Sequence, residues 1–348
     1  MTHGLVIGKF YPPHAGHHYL IRAAAREADR VTVVVMAATV ETIALADRVA
    51  WLREVHAGDR NVTITGIVDD HPIDYHSDAI WRAHVELMKQ AVHGEPIDAV
   101  FTSEPYGDEL ARRLDARHVS VDLSRAEHRV SGTAVRADPV AYWDALAPCV
   151  RGRLAWRVIL VGAESTGKTT IAAAIADRLR ARGGVFARTA WVPEVGREVT
   201  ERKIATVSID EVVWETADFV DIAREQARRE AEAARSGGPV VICDTDAFAT
   251  AIWHERYRGA PSPEVDALGE PAPYHLYLLS HHDDVPFEQD GLRDGEHLRA
   301  WMTGRFVERL AGRRWQWLRG SREAREAYAI AAIDALLAVG WAFAAPLG

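Results

Sequence analysis

Cysteine is scarce in this chain of 348 residues: only Cys149 and Cys243 occur, far apart and without metal-ligand spacing. That argues against a disulfide framework or a clustered structural zinc site, and it fits a reducing compartment. No apolar run reaches the roughly 20 residues that a membrane helix needs. The first residues lead straight into Leu5-Val6-Ile7-Gly8 without a basic leader, so a cytoplasmic protein is expected. Basic charge is not in excess either. Lysine and arginine total 41 against 50 acids, a net charge of -9, which gives no general attraction to nucleic acid or an anionic membrane. A local basic patch at a phosphate site remains compatible with that balance.

What the chain does have is two different phosphate-handling patterns. Gly8-Lys9-Phe10-Tyr11-Pro12-Pro13-His14-Ala15-Gly16-His17 stands near the start, and Gly162-Ala163-Glu164-Ser165-Thr166-Gly167-Lys168-Thr169 just before the middle. Each follows an apolar β-type run and leads into a helical pattern, the context in which such motifs bind phosphates. The length favours two domains, expected at residues 1–150 and 151–348. In the first, apolar runs at Leu5–Phe10, Val31–Ala37, Val62–Val68, Ala99–Ser103 and His118–Asp122 alternate with amphipathic stretches. That rhythm predicts an α/β fold with a parallel sheet and crossover helices. In the second, the pattern predicts strands at Arg157–Val161, Val240–Asp244, His275–Ser280 and Trp315–Leu318. Helices are expected at Lys168–Arg182, Asp210–Arg235 and Arg322–Val339, a loop over 259–273, and a polar lid over 283–295.

The first pattern suits anion binding at a helix start. Gly16 permits close backbone approach, while His14 and His17 can both point from a strand-to-helix turn toward one phosphate, helped by the free N–H groups of the helix. Much later, Ser131 and Thr133 in Val130-Ser131-Gly132-Thr133-Ala134-Val135-Arg136 stand at a predicted helix start, with Arg136 one turn on. The two segments resemble the paired signatures of the HxGH nucleotidyltransferase superfamily. The resemblance implies that Gly8, Lys9, Phe10, Gly16, Ser131 and Thr133 bind ATP. It also implies that His14, His17 and Arg136 stabilise charge on its phosphates during in-line attack at the α-phosphate. No protein nucleophile is needed.

The second pattern is a complete Walker A loop. Its backbone N–H groups make a nest for phosphates, Lys168 reaches the β- and γ-phosphates, and the Thr169 hydroxyl ligates Mg2+. Gly162, Ser165, Thr166, Gly167 and Thr170 complete the expected ATP-binding set. Asp244, ending an apolar run, is the expected Walker-B-like metal carboxylate. A proton acceptor for a substrate hydroxyl is also required, and Asp246 and Glu194 are both candidates. Glu194 and Arg197 sit where small P-loop kinases gather their acceptor, and Arg293 is the expected lid arginine with Arg299 as alternative.

The order of these motifs resembles that of the NadR family of nicotinamide-nucleotide adenylyltransferase and ribosylnicotinamide kinase proteins. Segments around Trp51, Trp81, Ser103 and Glu104 look like the mononucleotide-binding segments of that family. A flat pyridinium suits an aromatic face, and a buried tryptophan can also simply pack. The resemblance implies a bifunctional enzyme of NAD biosynthesis and salvage. Its kinase half would phosphorylate nicotinamide riboside to the mononucleotide (NMN) with ATP, and its adenylyltransferase half would join NMN to AMP, giving NAD and pyrophosphate. Repressor members carry a helix-turn-helix ahead of the first strand. This chain begins only a few residues before it, so no nucleic-acid partner is expected. Two other readings stay open: an adenylyltransferase whose P-loop half is a nucleotide sensor, and a bifunctional enzyme for another cofactor precursor. Self-association into a homo-oligomer is not legible, nor is the preference between nicotinamide and nicotinic acid forms.

Overall fold

The computed structural model describes residues 1–124, 126–127, 129–205, 211–270, 272, 274–289 and 295–347. The chain divides into two compact units: Met1–Val150 together with the residues from Gly340 onward, and Arg151–Val339. The final segment thus groups with the first unit and not with the second, where the expected bounds 151–348 put it. Trp341 and Phe343 find aromatic partners in the first unit, Trp143 at 6.5 Å and Tyr11 at 5.8 Å between ring centres.

The first unit runs β1 (His3–Gly8), α1 (Ala15–Glu27), β2 (Arg30–Ala37), α2 (Leu45–Val55), β3 (Val62–Val68), α3 (Asp78–Ala91), β4 (Ala99–Thr102), α4 (Gly107–Leu114), β5 (Arg117–Ser120) and α5 (Gly132–Ala137). Its strands pair in parallel in the order β3-β2-β1-β4-β5. Successive residues of the central strands feed opposite faces, as the period of two demands. Val6, Val33 and Val35 enter one apolar cluster, and Leu5, Val34 and Met36 enter the other. Helix α6 (Pro148–Leu154) spans the point where the chain passes from one unit to the next.

The second unit continues with β6 (Trp156–Val161), α7 (Lys168–Arg180), β7 (Ala190–Val192), α8 (Val195–Ile204), α9 (Thr216–Ser236), β8 (Val240–Asp244), α10 (Ala247–Arg258), α11 (Pro263–Asp266), β9 (His275–Ser280), α12 (Arg299–Arg309), β10 (Trp315–Leu318) and α13 (Arg322–Val339). The strands are again parallel, in the order β10-β9-β6-β8-β7. Helix α7 buries Ile171, Ala172, Ile175, Ala176 and Leu179, the stripe of an amphipathic helix laid on a sheet.

Two differences from the expected elements have a local cause. Helix α9 starts at Thr216 because Glu215 and Asp218 form a reciprocal capping box there; Asp210, the expected start, lies outside the described residues. The expected loop over 259–273 contains α11, which Ser262 caps and Pro263 initiates. No helix among the described residues is long and apolar enough to cross a membrane.

In both sheets the strand order reverses direction beside the first strand of the unit. Ligands of open α/β sheets collect at that switch point, beyond the carboxyl ends of the strands. The residues after β1 and β4 in one unit, and after β6, β7 and β8 in the other, occupy those ends.

Candidate active sites

In the first unit the loop after β1 brings His14 to the N-cap of α1, buried at 4% exposure. The His14 and His17 rings stack with centres 3.7 Å apart, and the His14 backbone N–H donates to His17 Nδ1 at 3.3 Å. A Cβ on Gly16 would stand 3.3 Å from the His14 ring, so the small residue preserves this pair. Ser131 caps α5 by accepting from the Ala134 N–H, and this helix start presents Thr133 and Arg136. Arg136 reaches back to the first motif: it donates to the Tyr11 carbonyl at 2.7 Å and to Thr133 Oγ1 at 3.2 Å. The Tyr11 ring in turn has two guanidinium groups against it, Arg48 at 4.5 Å and Arg136 at 5.1 Å.

Lys9 stands at the same edge. Its ammonium donates to the Leu347 carbonyl at 2.7 Å and lies 3.6 Å from Glu41, and burial lowers its pKa. The fully buried Arg48 holds Glu41 at 2.6 Å. This Glu41–Arg48 pair is a part of the site that the motifs did not reveal; its members lie on a loop and a helix with no spacing signature.

The remaining expected residues separate by environment. Gly8 ends β1, and Ser103 and Glu104 follow β4, so all three lie at the carboxyl edge of the sheet. Phe10, expected to meet ATP, is instead 2% exposed within the apolar cluster, its ring 4.9 Å from that of His17. Trp81 is likewise in a core cluster, with Nε1–H donated to the Tyr75 carbonyl and Arg113 over its ring. Trp51 is buried on α2.

The second unit contains a cavity of about 580 Å³ at its phosphate loop. Gly162 and Gly167 shape that loop. Both have positive φ, and a Cβ on Gly162 would come within 2.9 Å of the Ser280 carbonyl. Ser165, Thr166, Gly167, Lys168, Thr169 and Thr170 all line the cavity. Lys168 donates to the Ala163 carbonyl at 2.8 Å. Asp244 ends β8 and accepts a hydrogen bond from the Thr169 side chain; burial raises its pKa, opposed by Lys168. Its Oδ1 is buried without a hydrogen-bond partner among the described residues. An orphaned carboxylate oxygen beside a threonine hydroxyl is a donor set that fits Mg2+.

The structure separates the two candidates for the base. Glu194 lines the cavity beside Arg197. Its carboxyl is pushed up to about 7, by burial first and then by Asp244 and Glu164, against the pull of Lys168 and Arg197. Asp246 is not among the lining residues. It caps α10, one oxygen accepting from the Ala249 N–H at 2.8 Å and the other from the Tyr277 hydroxyl at 2.7 Å. A carboxylate spent on a helix cap and a buried phenol is a structural group, and the expectation of catalysis by Asp246 is corrected accordingly. Arg293 lies outside the described residues. Arg299 is buried and donates to the Ser165, His282 and Val285 carbonyls, which ties down the loop base.

Three features of this cavity escaped the motifs. Trp214, Trp253 and Tyr257 supply aromatic wall. The Trp253 and Tyr257 rings, one helical turn apart on α10, stack 6.4 Å apart with the Arg256 guanidinium within 5.1 Å of each. Arg256 is paired with Glu164 of the phosphate loop at 2.8 Å. Arg325, from α13, also reaches the loop. The i,i+4 aromatic spacing was visible in sequence, but nothing there linked it to the loop.

Fold and sites together define a two-domain enzyme, a nucleotidyltransferase unit joined to a P-loop kinase unit. Residues 5–138 match the cytidylyltransferase-like family model, and residues 157–326 match the AAA domain model. The chain is 31% identical over 160 residues to a nicotinamide-nucleotide adenylyltransferase of Methanoculleus marisnigri, covering 42% of this chain and 86% of that protein. It is 27% identical over 307 residues to the trifunctional NAD biosynthesis/regulator protein NadR of Escherichia coli, covering 84% of this chain and 72% of that one. A crystal structure of NadR protein in complex with NR superposes with a TM-score of 0.70 at 19% identity, over 96% of this chain and 95% of that one. The chain belongs to the nicotinamide-nucleotide adenylyltransferase family, in the two-domain arrangement of the NadR proteins.

Proposed function

We propose that the second unit phosphorylates nicotinamide riboside with ATP and that the first converts the resulting NMN, with a second ATP, to NAD and pyrophosphate. One observation carries this reading. A single cavity combines a Walker A loop, the Glu194 carboxyl and an aromatic wall from Trp214, Trp253 and Tyr257. The loop suits a triphosphate, the carboxyl a hydroxyl acceptor, and the rings a flat cationic pyridinium.

In the kinase unit, Glu194 takes the proton of the riboside hydroxyl as its oxygen attacks the γ-phosphorus of ATP, and ADP leaves. Lys168 and the loop N–H groups hold the charge that develops. Thr169 and Asp244 would hold Mg2+, which neutralises phosphate charge when bound. In the adenylyltransferase unit, an oxygen of the NMN phosphate attacks the α-phosphorus of ATP and pyrophosphate departs. His14, His17 and the amino end of α1 face that charge, with Arg136 on the departing phosphates and Gly8, Lys9, Gly16, Ser131 and Thr133 around them. Ser103 and Glu104 are proposed on the NMN side, with Trp51 and Trp81 packing behind it. The proposed partners are these small molecules, and the proposed setting is the cytoplasm.

Purified full-length chain with ATP, Mg2+ and nicotinamide riboside should form NMN first and NAD afterwards. NAD formed only from supplied NMN would replace the kinase reading with a nucleotide sensor. Neither product would move both units to another cofactor precursor.

A further inference from the structure

Among the described residues, Arg256, Arg299 and Arg325 each bond to the phosphate loop of the second unit, and they differ in what faces them. Arg256 is neutralised by Glu164 at 2.8 Å. Arg299 gives one nitrogen, Nη2, to three backbone carbonyls; its Nε is buried without a partner among the described residues, but Arg299 does not line the cavity. Arg325, in the first turn of α13, is only 4% exposed, and among the described residues its side chain makes a single hydrogen bond, from Nη1 to the Thr166 carbonyl at 2.8 Å.

Its Nε is buried without a partner, and no carboxylate among the described residues lies within salt-bridge distance of it. Burial lowers its pKa, and the charge of Asp284 opposes that only in part. A guanidinium offers five donors, so most of this group is unspent. An uncompensated buried cation is costly and is retained where an anion completes it. The opening is on the cavity side: Arg325 lines the cavity, and a Cβ built on Gly167 would stand 3.4 Å from Nη2. That is ordinary van der Waals contact, so the guanidinium lies directly against the loop at Gly167, whose own positive φ is what calls for glycine there.

We infer that Arg325 is a further nucleotide-binding residue of the kinase unit, holding the phosphate loop through Thr166 and giving its remaining donors to the phosphates of the bound triphosphate. The inference rests on the kinase reading for its substrate, but not for the anion it binds. It assigns to α13 a role that its sequence, Arg322-Glu323-Ala324-Arg325, does not announce.

The test uses the full chain with Arg325→Met and Arg325→Lys. Arg325→Met should raise the ATP KM of riboside phosphorylation about 10- to 100-fold, the loss expected for charge-assisted hydrogen bonds. The riboside KM should stay within about twofold, since the lost donors meet only the triphosphate. Arg325→Lys, which keeps the charge without the fork, should recover part of the loss. Adenylyl transfer from supplied NMN should be unchanged in both. An unchanged ATP KM in the Lys and Met variants overturns the inference, as does a parallel rise in both KM values, which marks a collapsed site. If the Met variant fails to fold, by thermal melting, the Lys variant alone decides on the same criteria. Calorimetric titration with AMP-PNP, which should read two sites in the parent and one weakened in the variants, separates the two readings. Weakening without riboside phosphorylation in the parent removes the riboside and leaves Arg325; phosphorylation with two unchanged sites does the reverse.

Discussion

The Arg136 guanidinium donates to the backbone carbonyl of Tyr11 at 2.7 Å, across 125 positions of sequence. One nitrogen thus ties the second signature of the adenylyltransferase unit to the loop of the first, while the other holds Thr133 at 3.2 Å. Placement of the charge, and not charge alone, is what this bond secures.

Arg136→Ala is expected to lower adenylyl transfer by about 10²- to 10³-fold, the usual loss when a preorganised donor to a developing charge is removed. Arg136→Lys should still lose about tenfold, because an ammonium cannot span Tyr11 and Thr133 together. Riboside phosphorylation measured on the same preparations should be unchanged. Equal loss of both activities would show that the two sites are not independent.

Glu194→Gln should cut kcat for phosphoryl transfer by about 10²- to 10⁴-fold, the range for a lost general base. The parent enzyme should show an acid limb in kcat/KM near pH 7, since Glu194 must be ionised to accept a proton and its carboxyl is pushed up to about 7. The limb should vanish in the variant. A parent profile that is flat between pH 5.5 and 8 would assign the proton to another group.

Asp246→Ala separates the two carboxylates that the sequence left together. It should cost about 1–3 kcal/mol of stability, through a lost helix cap and a buried Tyr277 hydroxyl left unpaired. Phosphoryl transfer by the folded fraction should persist. A melting curve and a kcat on one sample are enough, and loss of turnover at parental stability would return Asp246 to the chemistry.

Glu230 sets a pH dependence of stability. Its carboxyl, 7% exposed, is raised from 4.5 to about 8, by burial first and then by the charge of Asp246. Between those values the folded state holds a proton that the unfolded state releases. Its contribution is therefore fully present below 4.5 and is lost as pH rises through about 8. Glu230→Gln should leave the melting temperature near its parental value at pH 5 and raise it at pH 9. An equal shift at both values would exclude titration as the cause.

Much of this was legible in the residues because local rules governed it. The strands before both phosphate loops are buried on two faces and so read as continuous apolar runs; the glycines of the Walker A loop mark positive φ; Ser131 marks its own helix. What stayed illegible depends on residues that meet only after folding. Trp214 precedes α9 while Trp253 and Tyr257 lie on α10, and each alone reads as ordinary core. Arg325 looks like one more charge on a helix end. Asp246 misled for the opposite reason: two residues after Asp244 it shares the expected strand face, but the chain turns at Thr245, whose φ is +76, and starts α10 there. The stretch 259–273 reads as a loop from its content of Pro, Gly and Ala, yet Ser262 and Pro263 together start a short helix in it.

The segment from Gly340 onward closes against the first unit, with the Tyr11 hydroxyl donated to the Ala344 carbonyl at 3.2 Å and Lys9 to that of Leu347. The polypeptide therefore crosses from unit to unit twice, and in architectural terms the kinase is an insertion within the adenylyltransferase. A single cut near residue 150 would leave the first unit without the strand of chain that steadies Lys9 and Tyr11. Grafting a different kinase onto this scaffold would need two splice points, one at each crossing.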